Sequence, residues 1–177
     1  MAEVEISDVR VECVQGDITE QPDMDAIVNA ANAELAPGGG VAGAIHRAAG
    51  SGLAKECQAY APISPGQAVI SGGYKLPNKY VIHCLGPVYG RDEPSDELLA
   101  SCYRKALELA EKNGVESLAF PAISTGVFQF PFEAATEIAV NEVKAQAPSL
   151  KSVKRIRFVL FSQSDLEGYE RALAALN

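Results

Sequence analysis

Apolar positions along the chain fall into two alternating rhythms. Val9 to Gln15 alternates and is rich in β-branched residues, and Asp25 to Asn29 (DAIVN) is a short apolar run, so both are expected as strands. From Val41 to Tyr60 the spacing lengthens. Ala44, Ile45, Ala48, Ala49, Leu53, Ala54 and Cys57 recur at helical intervals, with a break near Gly50-Ser51-Gly52. Two further apolar runs, Gln67 to Ser71 and Tyr80 to Leu85, flank a turn-rich segment holding Gly72, Gly73, Pro77 and Asn78.

The second half repeats the alternation. Ser95 is the expected N-cap of a helix through Leu98, Leu99, Tyr103, Ala106, Leu107 and Ala110, closed by Asn113-Gly114. Ser117 to Phe120 then reads as a strand, Pro121 to Phe130 as a glycine-bearing loop, and Pro131 to Ala147 as a helix with a stripe at Ala135, Ile138, Ala139, Val140 and Val143. Arg155 to Phe161 is the last strand and Asp165 to Leu176 the last helix. Strands too apolar to face water, alternating with helices, predict an α/β sheet covered on both faces.

In such sheets ligands sit beyond the carboxyl ends of the strands. Two loops fit that position, Asn29 to Gly43 and Pro121 to Phe130. Both are rich in Gly, Ser and Thr, and loops of this kind feeding a helix present backbone N–H groups to an anion, above all phosphate. Gly38, Gly40 and Gly43 also spell G-x-G-x-x-G, with Glu56 at about the distance of a ribose-binding acid. The context differs from the dinucleotide fingerprint, because Asn29 to Pro37 intervenes after the strand and Glu56 falls in a helical pattern. A nicotinamide-dependent oxidoreductase is the remote alternative.

Charge and cysteine usage narrow the classes. The 177 residues carry 15 Lys and Arg against 23 Asp and Glu, a formal net charge of −8, so the surface field repels polyanions and no nonspecific nucleic-acid binding is expected. Cys13, Cys57, Cys84 and Cys102 form no CxxC pair, which argues against zinc, against a redox centre, and for a reduced cytoplasmic setting. The opening MAEVEISDVRVEC lacks the basic end and apolar stretch of a signal peptide, and no run approaches membrane-spanning length. No metal, cofactor or membrane partner is called for, and a monomer is expected.

His46, in a helix, and His83, in an apolar strand, are expected to be satisfied structural residues. Cys84 points to the opposite strand face from His83, so the two make a poor dyad. Lys151, Lys154, Arg155 and Arg157 read as a solvated edge.

The stretches GDIT (Gly16 to Thr19), DAIVNAAN (Asp25 to Asn32), GGGVAGAIHRAAG (Gly38 to Gly50), VIHCLGP (Val81 to Pro87) and FPAISTGVF (Phe120 to Phe128) resemble, in this order, the motifs of the macrodomain family. The resemblance covers most of the chain and implies a single domain over residues 1–177, with a three-layer α/β/α fold around a mixed sheet. It also implies ADP-ribose or an ADP-ribosylated protein as partner. By the same resemblance Asp17 receives the adenine amino group with the Ile18 backbone beside it, and Phe161 stacks on adenine. Asn32 hydrogen-bonds the distal ribose, while Asn29 holds the loop. Gly38, Gly39, Gly40 and Val41 wrap the distal phosphate and ribose, and Ser124, Thr125, Gly126, Val127 and Phe128 close over the pyrophosphate.

Some of the family hydrolyse ADP-ribose derivatives, and their glycine loop commonly reads GGGGVDGAIH. Here Pro37 replaces the first glycine, Ala42 the Asp, and Gln129 a glycine after the aromatic. Alanine neither accepts a proton nor orients water. The expected activity is therefore hydrolysis by positioning, with Asn32 as the catalytic residue. The alternative is a non-catalytic reader of ADP-ribose.

Overall fold

The computed structural model describes residues 2–176. Its strands are β1 (Ala2–Ile6), β2 (Val9–Gln15), β3 (Ala26–Ala30), β4 (Ala68–Gly72), β5 (Tyr80–Cys84), β6 (Ser117–Phe120) and β7 (Arg155–Leu160). Its helices are α1 (Gly40–Ala49), α2 (Ser51–Cys57), α3 (Ser95–Lys112), α4 (Phe132–Gln146) and α5 (Gln163–Ala174). The strands form one mixed sheet in the order β1-β2-β7-β6-β3-β5-β4. Only the two edge pairs, β1 with β2 and β4 with β5, run antiparallel.

The sheet is covered on both faces, as its apolar strands require. One layer buries Ile45 and Ala49 of α1 with Leu53 and Cys57 of α2 against Ile27, Val81 and Ala119. The other packs Leu99, Tyr103 and Leu107 of α3, Ala139 and Val143 of α4, and Leu166 and Tyr169 of α5 on Val28, Ile82, Leu118 and Phe158. This is the three-layer α/β/α arrangement.

Strand β1 was not expected from the hydrophobic pattern. Of its five residues only Val4 is buried, so the strand exposes too little apolar surface to register. Its signal lies in the turn. Ile6 pairs with Val9, and the two residues between, Ser7 and Asp8, both have positive φ, as a two-residue hairpin loop requires.

Two other expectations are corrected. Ser95 is the first residue of α3 and not its cap, a place held by Pro94; its hydroxyl donates to the Asp92 carbonyl. The basic run is solvated only in part: Lys151 and Lys154 are exposed, but Arg155 and Arg157 alternate with core residues along β7 and face Glu12 of β2. Arg157 is buried, donating to both carboxylate oxygens of Asp23 at 2.9 and 2.7 Å and to Gln21 at 2.7 Å.

The topology places a cleft between β3 and β6. These neighbours are parallel, yet α1 follows β3 onto one face and α4 follows β6 onto the other, which makes their carboxyl ends a switch point. β3 pairs with β5 along all five residues but with β6 only at Ala26 and Ile27. Beyond Ile27 the two strands part.

Candidate functional site

A cavity of about 540 Å³ opens at that parting. Asn32 and Gly38 to Ala42 form one wall, Pro121, Ala122 and Ser124 to Phe128 the other, and Val159 to Phe161 with Asp165 close the end beside β7. A second groove of about 690 Å³ lies between α4 and α5, but it has no glycine loop and no strand end.

The first wall is built by local hydrogen bonding. The Asn32 amide clasps Ala36, its Nδ2 donating to the Ala36 carbonyl at 2.8 Å and its Oδ1 accepting from the Ala36 N–H at 3.0 Å. That clasp leaves one Nδ2 hydrogen and one Oδ1 lone pair for a ligand. It also turns the chain so that Gly38 comes down beside Asn32. Gly39 caps α1 without a side-chain bond, so the N–H groups of Gly40, Val41 and Ala42 meet the cleft with no side-chain acceptor. Gly43 fits for another reason: a Cβ there would collide with the Gly38 carbonyl oxygen unless the loop moved.

The opposite wall is a tight loop. Phe130 N–H donates to the Ser124 carbonyl at 2.9 Å and Gln129 N–H to the Gly126 carbonyl at 2.9 Å, while Ser124 and Gln129 take positive φ. Ser124 packs on Gly86, where any side chain would strike its Oγ. That Oγ is buried without a partner among the described residues. Val127, 90% exposed, forms the lip.

At the far end β7 stops at Leu160, so Phe161 lies just beyond the strand rather than within it. It is 91% exposed and flanks the cavity, which frees its ring for a flat ligand. The turn after β2 sits beside it: Gly16 N–H donates to the Leu160 carbonyl at 2.9 Å, and Gln15 Nε2 reaches the Phe161 carbonyl at 3.4 Å. Asp17 and Ile18 belong to that turn but do not line the cavity. Asp17 Oδ1 accepts from the Thr19 N–H and hydroxyl at 2.8 and 2.7 Å, bonds that hold its carboxyl below the usual carboxylate range. Ile18 is in the core.

Asp165 is a lining residue that sequence reasoning missed. Its position in the first turn of α5, three residues after the N-cap Ser162, gives it an ordinary reason to be acidic, so nothing in the pattern singled it out.

Neither histidine serves the cleft. His83 is fully buried on the α1 and α2 side of the sheet, its Nδ1 3.1 Å from Asn29 Nδ2 and its Nε2 2.9 Å from Ser71 Oγ. Burial lowers its pKa to about 4, and burial raises the neighbouring Cys57 thiol to about 11. Asn29 therefore anchors β5 and does not hold the glycine loop, which the Asn32 clasp does instead. His46 is buried, but neither ring nitrogen has a partner among the described residues, so it is not the satisfied histidine expected. Glu56 bonds Tyr60, Tyr74 and the Gly72 N–H on α2's outer side and is absent from the cleft lining, which removes the ribose acid that the dinucleotide reading needs. Among the described residues no group of His, Cys, Asp and Glu is arranged to hold a metal, and no helix is long and apolar enough to cross a membrane.

Known proteins resemble this chain over nearly its whole length. The Macro domain profile matches residues 28–139, which include the glycine loop and the Ser124 loop. A Macro domain-containing protein of Methanosarcina mazei is 45% identical over 98% of this chain and 92% of its own length. An Oceanobacillus iheyensis macrodomain with ADP superposes with a TM-score of 0.94 at 39% identity, covering 99% of this chain and 95% of that one. The Trypanosoma brucei macrodomain in complex with ADP-ribose superposes at 0.86 with 38% identity, over 92% of this chain and 68% of that one. The chain belongs to the Macro domain family.

Proposed function

We propose that the cleft binds ADP-ribose and that the protein, acting as one domain over residues 1–177, hydrolyses ADP-ribose derivatives by positioning. The observation that carries this reading is the pair of opposed walls, Gly38–Ala42 and Ser124–Phe128, whose polar groups are backbone amides and hydroxyls. A protein with a net charge of −8 holds a pyrophosphate best with such neutral donors and a helix N-terminus. The ADP and ADP-ribose named for the Oceanobacillus and Trypanosoma macrodomains support the same ligand.

The distal ribose then falls at Asn32, and adenine at Phe161 and the Asp17 turn. Around Asn32 the lining holds Ala42 and no carboxylate or imidazole. Hydrolysis there works by placement: the loop amides and Asn32 fix the distal ribose, and the substrate's own phosphate holds the attacking water. One water is consumed, and ADP-ribose leaves a carboxylate-linked protein adduct, or acetate leaves an acetylated ADP-ribose. Ala42 also favours a second reading, a reader that binds ADP-ribose without turnover, since the usual loop carboxylate is missing.

A mass-spectrometric time course on a glutamate-linked mono-ADP-ribosylated protein separates the two. Loss of the ADP-ribose mass is expected. Persistence of the adduct with ADP-ribose affinity intact would make the protein a reader.

A further inference from the structure

The structure assigns to Asp165 the recognition of an unmodified adenosine ribose, so that the cleft takes ADP-ribose and rejects its analogue phosphorylated on that sugar's 2′-hydroxyl. This inference rests on the ADP-ribose reading above and deepens it.

Sheet order fixes where along the ligand Asp165 stands. The groups proposed for the distal ribose follow β3, those for the pyrophosphate follow β6, Phe161 and Asp165 follow β7, and the Asp17 turn follows β2. In the sheet these strands stand in the order β3, β6, β7, β2. A ligand laid across them with its pyrophosphate at the β6 loop brings its adenosine half to β7, and the sugar comes before the base. Phe161, after the same strand, is taken by the base, which leaves the adenosine ribose to Asp165.

The chemistry of the side chain agrees. A carboxylate is an acceptor only, so in a cleft for a dianionic ligand it has to face hydroxyl or amino donors and not phosphate. Asp165 is half-buried in the lining, and its carboxylate makes no hydrogen bond or ion pair among the described residues. Its position allows a different use. Ser162 Oγ accepts the Asp165 N–H at 3.2 Å, and the reciprocal bond that a capping-box acid returns to the N-cap N–H is not made. The carboxylate is left for the cleft. Asp17, the other acid at this end, already spends Oδ1 on Thr19 and stands outside the lining. A ribose diol donates to Asp165; a 2′-phosphate in its place brings like charges together and loses the donor.

The test is calorimetry of the whole chain with two probes, ADP-ribose and 2′-phospho-ADP-ribose, on wild type, Asp165→Asn and Asp165→Ala. Wild type is expected to prefer ADP-ribose by about 30-fold or more. Asp165→Asn keeps an acceptor and loses the charge, so it should hold ADP-ribose within about threefold while the preference shrinks to about fivefold or less. Asp165→Ala should weaken ADP-ribose about tenfold and also flatten the preference. A wild type that binds both probes alike, or a preference unchanged in both variants, overturns the assignment. Wild type failing to bind ADP-ribose at all overturns the underlying reading, and this inference with it. Circular dichroism of each variant separates loss of fold from loss of contact, and the preference ratio is unaffected by a partly folded fraction.

Discussion

Replacing Gly43 with alanine separates stability from binding in a way the structure makes quantitative. The new Cβ would overlap the Gly38 carbonyl oxygen, with Gly38 C at 3.2 Å and Arg47 Nη1 at 3.1 Å. Arg47 can swing aside, but a backbone carbonyl yields only if the loop moves. Overpacking of this kind costs about 1–3 kcal/mol. Against it, alanine inside a helix gains about 1 kcal/mol over glycine. Gly38 to Gly40 are exposed, with no core packing to lose on shifting, so a cost of about 2 kcal/mol, in the middle of the overpacking range, applies. The net loss is then about 1 kcal/mol, a fall in Tm of roughly 2–4 °C for a chain of this size. The cost moves to the ligand instead. Shifting Gly38 draws the first-turn amides out of line, and losing one charge-assisted hydrogen bond costs about 1.5–3 kcal/mol, about 10- to 150-fold in ADP-ribose affinity. Thermal melts and calorimetry read both quantities. An affinity within threefold of wild type would refute the reasoning, since it would mean the wall can move without disturbing the site.

Three further outcomes follow from particular residues. Glu12→Gln takes the shared carboxylate from Arg155 and the buried Arg157 while Asp23 still pairs both, and urea unfolding should show a loss of about 1.5–3 kcal/mol; a change under about 0.5 kcal/mol would make the Glu12 carboxylate dispensable. His83 is held neutral to about pH 4 by burial but titrates near 6.5 when unfolded, so the unfolded state binds the extra proton between those values. His83 alone should therefore take about 2 kcal/mol from stability between pH 6.5 and pH 5, a part of the slope that His83→Gln removes while the buried His46, also lowered by burial, keeps its own; an unchanged slope in the variant would contradict this. Asp17→Ala should weaken ADP-ribose several-fold by calorimetry, and unaltered affinity would take Asp17 out of the site.

Most of the layered fold was legible because the pattern that marks each element is the one that buries it. Ala44, Ile45 and Ala48 recur at helical spacing because α1 lies on the sheet, and Gly50, at positive φ, breaks that helix from α2. Strand β1 escaped since it buries one side chain, and only its Ser7-Asp8 turn carries a signal. Arg155 and Arg157 misled for a related reason: a charged run looks solvated until its acids, Glu12 and Asp23, arrive from distant parts of the chain. At the site, the two small-residue loops were visible in sequence, and the cavity includes both. Side-chain roles were less so. Asn29 and Asn32 are alike in sequence, and which one holds the loop depends on whether His83 or Ala36 lies opposite. Asp165 was invisible, because an acid in a first helical turn is commonplace until the helix is seen to start at the cleft.

Whether one ligand bridges the two loops is read by hydrogen exchange measured with and without ADP-ribose. A bridging ligand slows exchange at the amides of Gly38–Ala42 and of Ser124–Phe128 together and leaves the α4–α5 groove around Thr136 and Arg171 unchanged. Protection confined to that groove, or to one loop alone, would contradict it.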